Sequence, residues 1–253
     1  GSTYEFMSNR DPMVELFPQG SDFTDDSILT VATCDVLLAA EGGQQTAGAF
    51  RCAYREYGAR FPHPMGGYGV RFAEWLRLPD SEAAPYGSFG NGAAMRVTPV
   101  GLACATIEEV LAVAEASAAV SHDHPEAIKG AQAAALAVFL GKTGSSKDAI
   151  RSEITSRFGY DLSRTVEEIR PDYRFDETCQ GTVPEAIIAF LDSTDFESAL
   201  RNAISLGGDA DTIGCITGGI AHAFYKDIPQ TFIDHARKLL PKEFVEIVDR
   251  FHQ

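Results

Sequence analysis

The chain has 253 residues, 45% apolar and 23% charged, an ordinary globular composition that can bury a sizeable core. Lys+Arg 21 against Asp+Glu 36 gives a formal net charge of −15, which argues against a DNA binder and against docking on an anionic membrane leaflet, since both need a basic face. No apolar run approaches the ~18 residues of a membrane span, residues 1–10 carry no signal-peptide pattern, and the five widely spaced cysteines suggest buried free thiols of a reducing cytoplasm rather than a zinc site or a disulfide framework.

In chain order the elements read as helices. Residues 27–38 place Ile28, Val31, Ala32, Val36 and Leu37 at helical spacing, with Gly42-Gly43 as the stop. Residues 60–94, rich in Gly, Pro and Tyr, are the least helical stretch and read as a long loop of the kind that carries function. Thr106, with Glu109 three positions on, has the capping-box pattern before a helix over 107–120. Pro125-Glu126 opens an Ala-rich helix that runs to Leu140 and stops at Gly141. Helices follow over 184–191, 195–206, 212–225 and 242–251, and the small residues of 213–221 suit close approach by another helix. Strand-like alternation is nearly lacking, and no repeat or linker divides the chain. The expectation is an all-α fold, one compact domain of orthogonal helices spanning 1–253, with a monomer as the default state.

Two acidic clusters stand without neutralising cations nearby in sequence. The first, Asp22-Phe23-Thr24-Asp25-Asp26-Ser27, sits at a loop-to-helix junction, where such residues also serve as caps and favour the positive helix end. The second, Gly207-Gly208-Asp209-Ala210-Asp211-Thr212, follows two glycines that free the backbone to turn. Four carboxylates gathered at one place would raise one another's pKa. A hard divalent ion, or a pair, removes that repulsion, and oxygen-only donors favour Mg²⁺, Mn²⁺ or Ca²⁺ over zinc.

Thr24-Asp25-Asp26 with Gly208-Asp209-Ala210-Asp211-Thr212-Ile213 resembles the paired metal motifs of the ADP-ribosylglycohydrolase family. Gly66-Gly67-Tyr68-Gly69, Ser88-Phe89-Gly90-Asn91-Gly92-Ala93-Ala94-Met95-Arg96 and Ser121-His122-Asp123-His124-Pro125-Glu126-Ala127 look like its other signature segments, in the family's order and spacing. Five ordered motifs are specific where a single Asp-x-Asp-Thr is weak. Family members usually open with a Gly-x-x-x-Gly-Asp-x-x-Gly-Ser helix, of which this sequence shows only the closing Gly1-Ser2.

The resemblance implies that Thr24, Asp25, Asp26, Asp209, Asp211 and Thr212 hold two Mg²⁺ (or Mn²⁺) ions between helix ends. Glu5 matches an acid that sits beside the metals in some branches, and Asp26 or Glu5 is the implied general base. Ser88, Gly90, Asn91 and Gly92 resemble the loop along the diphosphate and distal ribose, where Gly-rich backbone can present N–H groups to an anion. Tyr68, Gly69 and His122 complete the implied ligand contacts, and Phe89 is a candidate to stack on adenine, with Tyr68 or Tyr86 as partner. The implied partner is ADP-ribose or an ADP-ribosylated protein, and the implied reaction is hydrolysis at the ribose C1″. The Tyr4-Glu5-Phe6 start and the Gly-Tyr-Gly loop look more like the serine- and polymer-cleaving branch than the arginine-cleaving one. Two other readings remain: a non-catalytic ADP-ribose reader, and a calcium-stabilised helical protein whose acids only cap helices.

Overall fold

A computed structural model describes residues 1–40 and 47–252. The helices are α1 (Asp25–Ala39), α2 (Ala47–Arg60), α3 (Val70–Arg77), α4 (Thr98–Ala103), α5 (Ile107–Ala118), α6 (Pro125–Lys142), α7 (Lys147–Phe158), α8 (Val166–Ile169), α9 (Cys179–Leu191), α10 (Phe196–Ser205), α11 (Ala210–Tyr225), α12 (Gln230–Leu239) and α13 (Lys242–Phe251), with a 3₁₀ turn at Asn91–Ala93. Strand pairing among the described residues is confined to two isolated bridges, Thr24 with Met65 and Gly90 with Thr178. The all-α expectation holds.

Helix α6 lies at the centre. Its alanines are buried around most of its circumference, and α4, α5, α7, α9 and α11 pack on it. Short side chains let these neighbours approach closely, and the small-residue stretch of α11 does the same. A Cβ on Gly219 would stand 2.2 Å from Thr98 Oγ1 at the head of α4. One cluster of buried side chains runs from Ile28 through Leu136 and Ile187 to Phe244.

Helix boundaries follow local chemistry. Thr106 caps α5 by accepting from Glu109 N, but the Glu109 carboxylate reaches Ala105 N rather than closing the expected box. Thr165 with Glu168 and Asp195 with Ser198 do form reciprocal boxes, which the sequence reading passes over. Helix α6 runs through Gly141 to Lys142, two residues beyond its expected end at Leu140. Helix α9 begins at Cys179, ahead of Pro184, because Thr178 caps it by accepting from Gly181 N. The expected long loop contains α3, which buries Phe72 and Trp75 and is anchored where Trp75 Nε1 donates to Ala84 O at 3.1 Å. The Gly42-Gly43 stop lies outside the described residues. All five cysteines are free, with Cys52 exposed rather than buried as expected and Cys215 partly so. No described helix is long and apolar enough to cross a membrane.

Candidate metal centre and ligand cleft

The two acidic motifs meet in space. Thr24 precedes α1, Asp25 and Asp26 occupy its first turn, Asp209 precedes α11, and Asp211 and Thr212 open it. Ligand oxygens of Glu5, Asp209 and Asp211 lie within 4.8 Å of one another. Thr24, Asp26, Asp209 and Thr212 are all buried.

Capping does not explain this arrangement. Thr106, Ser146, Thr165, Thr178 and Asp195 each accept a backbone N–H at the start of their helices. Thr24 and Asp209, at the same position on α1 and α11, make no such bond. The Thr24 hydroxyl instead donates to Asp26 Oδ2 at 2.9 Å, and Asp209 Oδ2 accepts from Asn91 Nδ2 at 2.6 Å. Both cap side chains are thus spent on side-chain partners rather than on helix amides.

Their electrostatics are correspondingly strained. Burial, then the neighbouring acids, raises Asp25 and Asp26 well above the usual carboxylate range. Burial and Asp211 push Asp209 up to about 9, and burial with Asp211 pushes Glu5 up to about 7. No Lys or Arg ion pair among the described residues reaches Asp25, Asp26, Asp209 or Asp211. Asp26 Oδ1 and Glu5 Oε2 are buried without a hydrogen-bond partner. A set of hard oxygen donors with orphaned atoms, its mutual repulsion offset only in part by the Gly1 ammonium, fits divalent hard cations.

Beside the acids lies a cleft of about 450 Å³. Glu5, Asp25, Asp209, Asp211 and Thr212 line it together with Tyr68, Gly69, Ser88, Phe89, Gly90, Asn91, Gly92 and His122, whereas Thr24 and Asp26 lie beneath its surface. Glu5 is held in consecutive turns over residues 1–7, where Tyr4 N donates to Gly1 O and Tyr4 OH to Glu15 O. Gly66 makes room for it: its φ is +77°, and a Cβ there would stand 2.3 Å from Glu5 Oε2.

The glycine loop departs from the expected array of free amides. Gly90 N donates to Ser88 Oγ and Asn91 N to Glu177 O, because residues 177–179 run alongside and Cys179 N donates back to Phe89 O. Asn91 is buried and its amide is committed to Thr182 Oγ1 and Asp209 Oδ2, tying the loop to the acid cluster. Phe89 is 43% exposed at the cleft, with its ring against His124 at 5.4 Å rather than against Tyr68 or Tyr86. Tyr68 packs on Phe72, and Tyr86 on His122. Two exposed aromatics at the mouth, Phe6 and Phe175, stack at 5.8 Å. The sequence gives no role to Phe175 or to Arg96, both of which line the cleft; Arg96 ends a motif but looks like a surface residue until its burial is seen.

Fold and site define an all-helical protein with hard oxygen donors gathered at two helix N-termini beside a cleft. The family model described as ADP-ribosylglycohydrolase matches residues 1–253, and the chain belongs to that family. It is 28% identical over 269 residues to ADP-ribosylhydrolase ARH3 of Bos taurus, covering 83% of this chain and 73% of the relative. It is 30% identical over 182 residues to ADP-ribosyl-[dinitrogen reductase] glycohydrolase of Rhodospirillum rubrum, covering 66% of this chain and 58% of the relative. An uncharacterized protein of Archaeoglobus fulgidus is 33% identical over 170 residues, and the chain spans 55% of that relative's length. A solved structure titled as an ADP-ribosylglycohydrolase-related protein complex shares the fold, with a TM-score of 0.68, 23% identity and coverage of 100% of this chain and 95% of that one.

Proposed function

We propose that the protein hydrolyses the bond between C1″ of the distal ribose of ADP-ribose and an acceptor, with Thr24, Asp25, Asp26, Asp209, Asp211 and Thr212 holding two Mg²⁺ or Mn²⁺ ions. The observation that carries this reading is that two motifs some 180 positions apart bring Asp25 and Asp26 into electrostatic contact with Asp211, with Asp25, Asp209 and Asp211 lining one cleft. The names of both the ARH3 and the nitrogenase-system relatives specify hydrolysis at an ADP-ribosyl group, which supports it. The continuous core supports treating 1–253 as one domain.

Hard divalent ions bound there would supply Lewis-acid polarisation of sugar hydroxyls and acidify a water. The chain's own residues do the rest. Glu5 faces the cleft beside Asp209 and Asp211 and is the base that takes a proton from the attacking water; Asp26, beneath the surface, orients the Thr24 hydroxyl. As the bond to C1″ breaks, its electron pair leaves with the acceptor, which takes up the proton released from the attacking water, and the surrounding carboxylates stabilise the positive charge that develops on the sugar. Asn91 keeps the ligand loop in register with the acids through its bond to Asp209. Ser88, Phe89, Gly92 and His122 form the wall along the remainder of ADP-ribose.

Calorimetric titration of ADP-ribose with Mg²⁺ and again in EDTA tests the reading. Binding that collapses in EDTA, together with metal-dependent release of ADP-ribose from serine-linked, arginine-linked or polymeric substrates, is expected. Binding without turnover of any of them leaves a reader, and turnover that ignores EDTA removes the metal centre from the reaction.

A further inference from the structure

Arg96 is wholly buried, yet it lines the cleft. Among the described residues no carboxylate pairs with it. Nη2 donates to Ser117 O at 2.8 Å and to Ser121 Oγ at 3.2 Å, while Nε and Nη1 have no partner. The guanidinium lies 4.1 Å from the Tyr54 ring centroid and 5.9 Å from that of Phe72. Burying an unpaired charge opposes folding, and an apolar side chain of similar volume would fill the space without that penalty. The charge therefore has a use at the cleft.

Ser121 connects it to His122. Ser121 is fully buried, and its Oγ lies 2.7 Å from His122 Nδ1. Arg96 can only donate, so Ser121 Oγ accepts from it, and the hydroxyl proton has one remaining acceptor, His122 Nδ1. Were Nδ1 protonated, the Ser121 hydrogen would be buried with nothing to receive it. The ring is therefore the tautomer with its proton on Nε2. Burial, with Arg96 and then Arg71, disfavours the doubly protonated form. Phe72 and Tyr86 flank the imidazole with centroids at 6.1 and 5.8 Å. Nε2 faces the glycine loop: a Cβ on Gly92 would stand 3.4 Å from it, and one on Gly90 3.5 Å. This is the stretch whose Gly90 and Asn91 amides are already used within the protein.

We propose that Arg96 and Ser121 are positioning residues that hold His122 as a neutral Nε2–H donor toward the anionic diphosphate of the ligand, with the uncompensated Arg96 charge supplying the local positive potential. The ligand half of this rests on the function proposed above; the tautomer half does not. It accounts for how a chain of net charge −15 receives an anion where the Gly90 and Asn91 amides are already used, since local groups rather than net charge set the field.

Two measurements in Mg²⁺, on the full chain, test it. Long-range ¹H–¹⁵N spectra should show His122 as the Nε2–H tautomer in the wild type and a mixture in Ser121→Ala. Calorimetry should show ADP bound at least tenfold more weakly by Ser121→Ala and Arg96→Met, with adenosine within twofold of wild type, and Ser121→Thr restoring ADP affinity. A merely structural role would weaken both ligands alike. If Arg96→Met does not fold, Ser121→Ala decides. An Nδ1–H tautomer in the wild type, or unchanged ADP affinity in Ser121→Ala, overturns the relay. A wild type with the Nε2–H tautomer that binds neither ADP nor ADP-ribose overturns the diphosphate assignment and the functional reading, while the relay stands.

Discussion

Replacing Asp209 with Asn should make the metal-free protein more stable while removing the stabilisation that Mg²⁺ gives. Asp209 is buried and held up to about 9 by burial and by Asp211 and Asp26. A carboxyl whose folded pKa is raised contributes its full share below the unfolded value near 3.9 and loses it as pH climbs toward 9. At about 1.4 kcal/mol per pH unit, an unshared shift of this size costs the folded state about 4 kcal/mol between pH 4 and pH 7. Asp25, Asp26 and Asp211 share the repulsion, so removing one charge recovers a fraction, about 2 kcal/mol, or roughly 4–8 °C in Tm for a chain of this size. Asn keeps the shape, and its carbonyl still accepts from Asn91 Nδ2. Thermal unfolding in EDTA at pH 5 and pH 8, repeated with saturating Mg²⁺, reads both effects. A lower Tm than wild type at pH 8 in EDTA, with an undiminished Mg²⁺ shift, would show that the acids are not mutually repelling cation ligands.

The same linkage predicts that Mg²⁺ raises the wild-type Tm more at pH 8 than at pH 6, since the ions must displace protons held by Asp25, Asp26 and Asp209; proton release on titration in buffers of different ionisation enthalpy checks it. Glu5→Gln should lower turnover at least about a hundredfold, within the range of general-base catalysis, while ADP-ribose affinity stays within severalfold; equal loss of both would place Glu5 in binding instead. Gly66→Ala should displace Glu5, because the new Cβ meets Oε2 at a backbone φ of +77°, costing about 1 kcal/mol of stability and most of the activity. Wild-type kinetics in that variant would mean Glu5 does not act from the observed position. Asp211→Asn should abolish turnover with the helical circular dichroism unchanged.

What the sequence shows of the fold depends on how much of each helix is decided locally. Residues 242–251 are recovered to the residue, because an apolar stripe and Pro241 mark the ends. Residues 70–77 are hidden: two turns bounded by Gly and Pro have no helical signal of their own, and tertiary burial of Phe72 and Trp75 makes them a helix. Helices α2, α4, α7, α8 and α12 also escape, the last because Gln230–Leu239 buries no residue fully. The site divides in the same way. The acids are legible because three carboxylates in five residues, or two around a glycine turn, are unusual without a cation. Asn91 reads as a ligand contact because its neighbours are glycines, but its tie to Asp209 spans 118 positions and only the fold displays it. Arg96 is opaque for a related reason, since no local pattern distinguishes a buried arginine from a solvated one.

The positions of the acids also explain how the cluster is tolerated before any cation arrives. Asp25, Asp26 and Asp211 lie in the first turns of α1 and α11, and Asp209 precedes the latter, so two positive helix ends face the same point. Those ends offset part of the repulsion, and the side chains are left free because neither Thr24 nor Asp209 is spent on a cap. The features that make Thr-Asp-Asp and Asp-x-Asp-Thr resemble ordinary helix starts are therefore the same ones that let a metal site exist there. Capping and ligation draw on the same oxygens, and what separates them is where those oxygens point. At α5, α7 and α9 the cap oxygen turns back onto the helix's own amides; at α1 and α11 the cap residues Thr24 and Asp209 bond instead to Asp26 and Asn91, and only Asp211 accepts a neighbouring amide, that of Thr212.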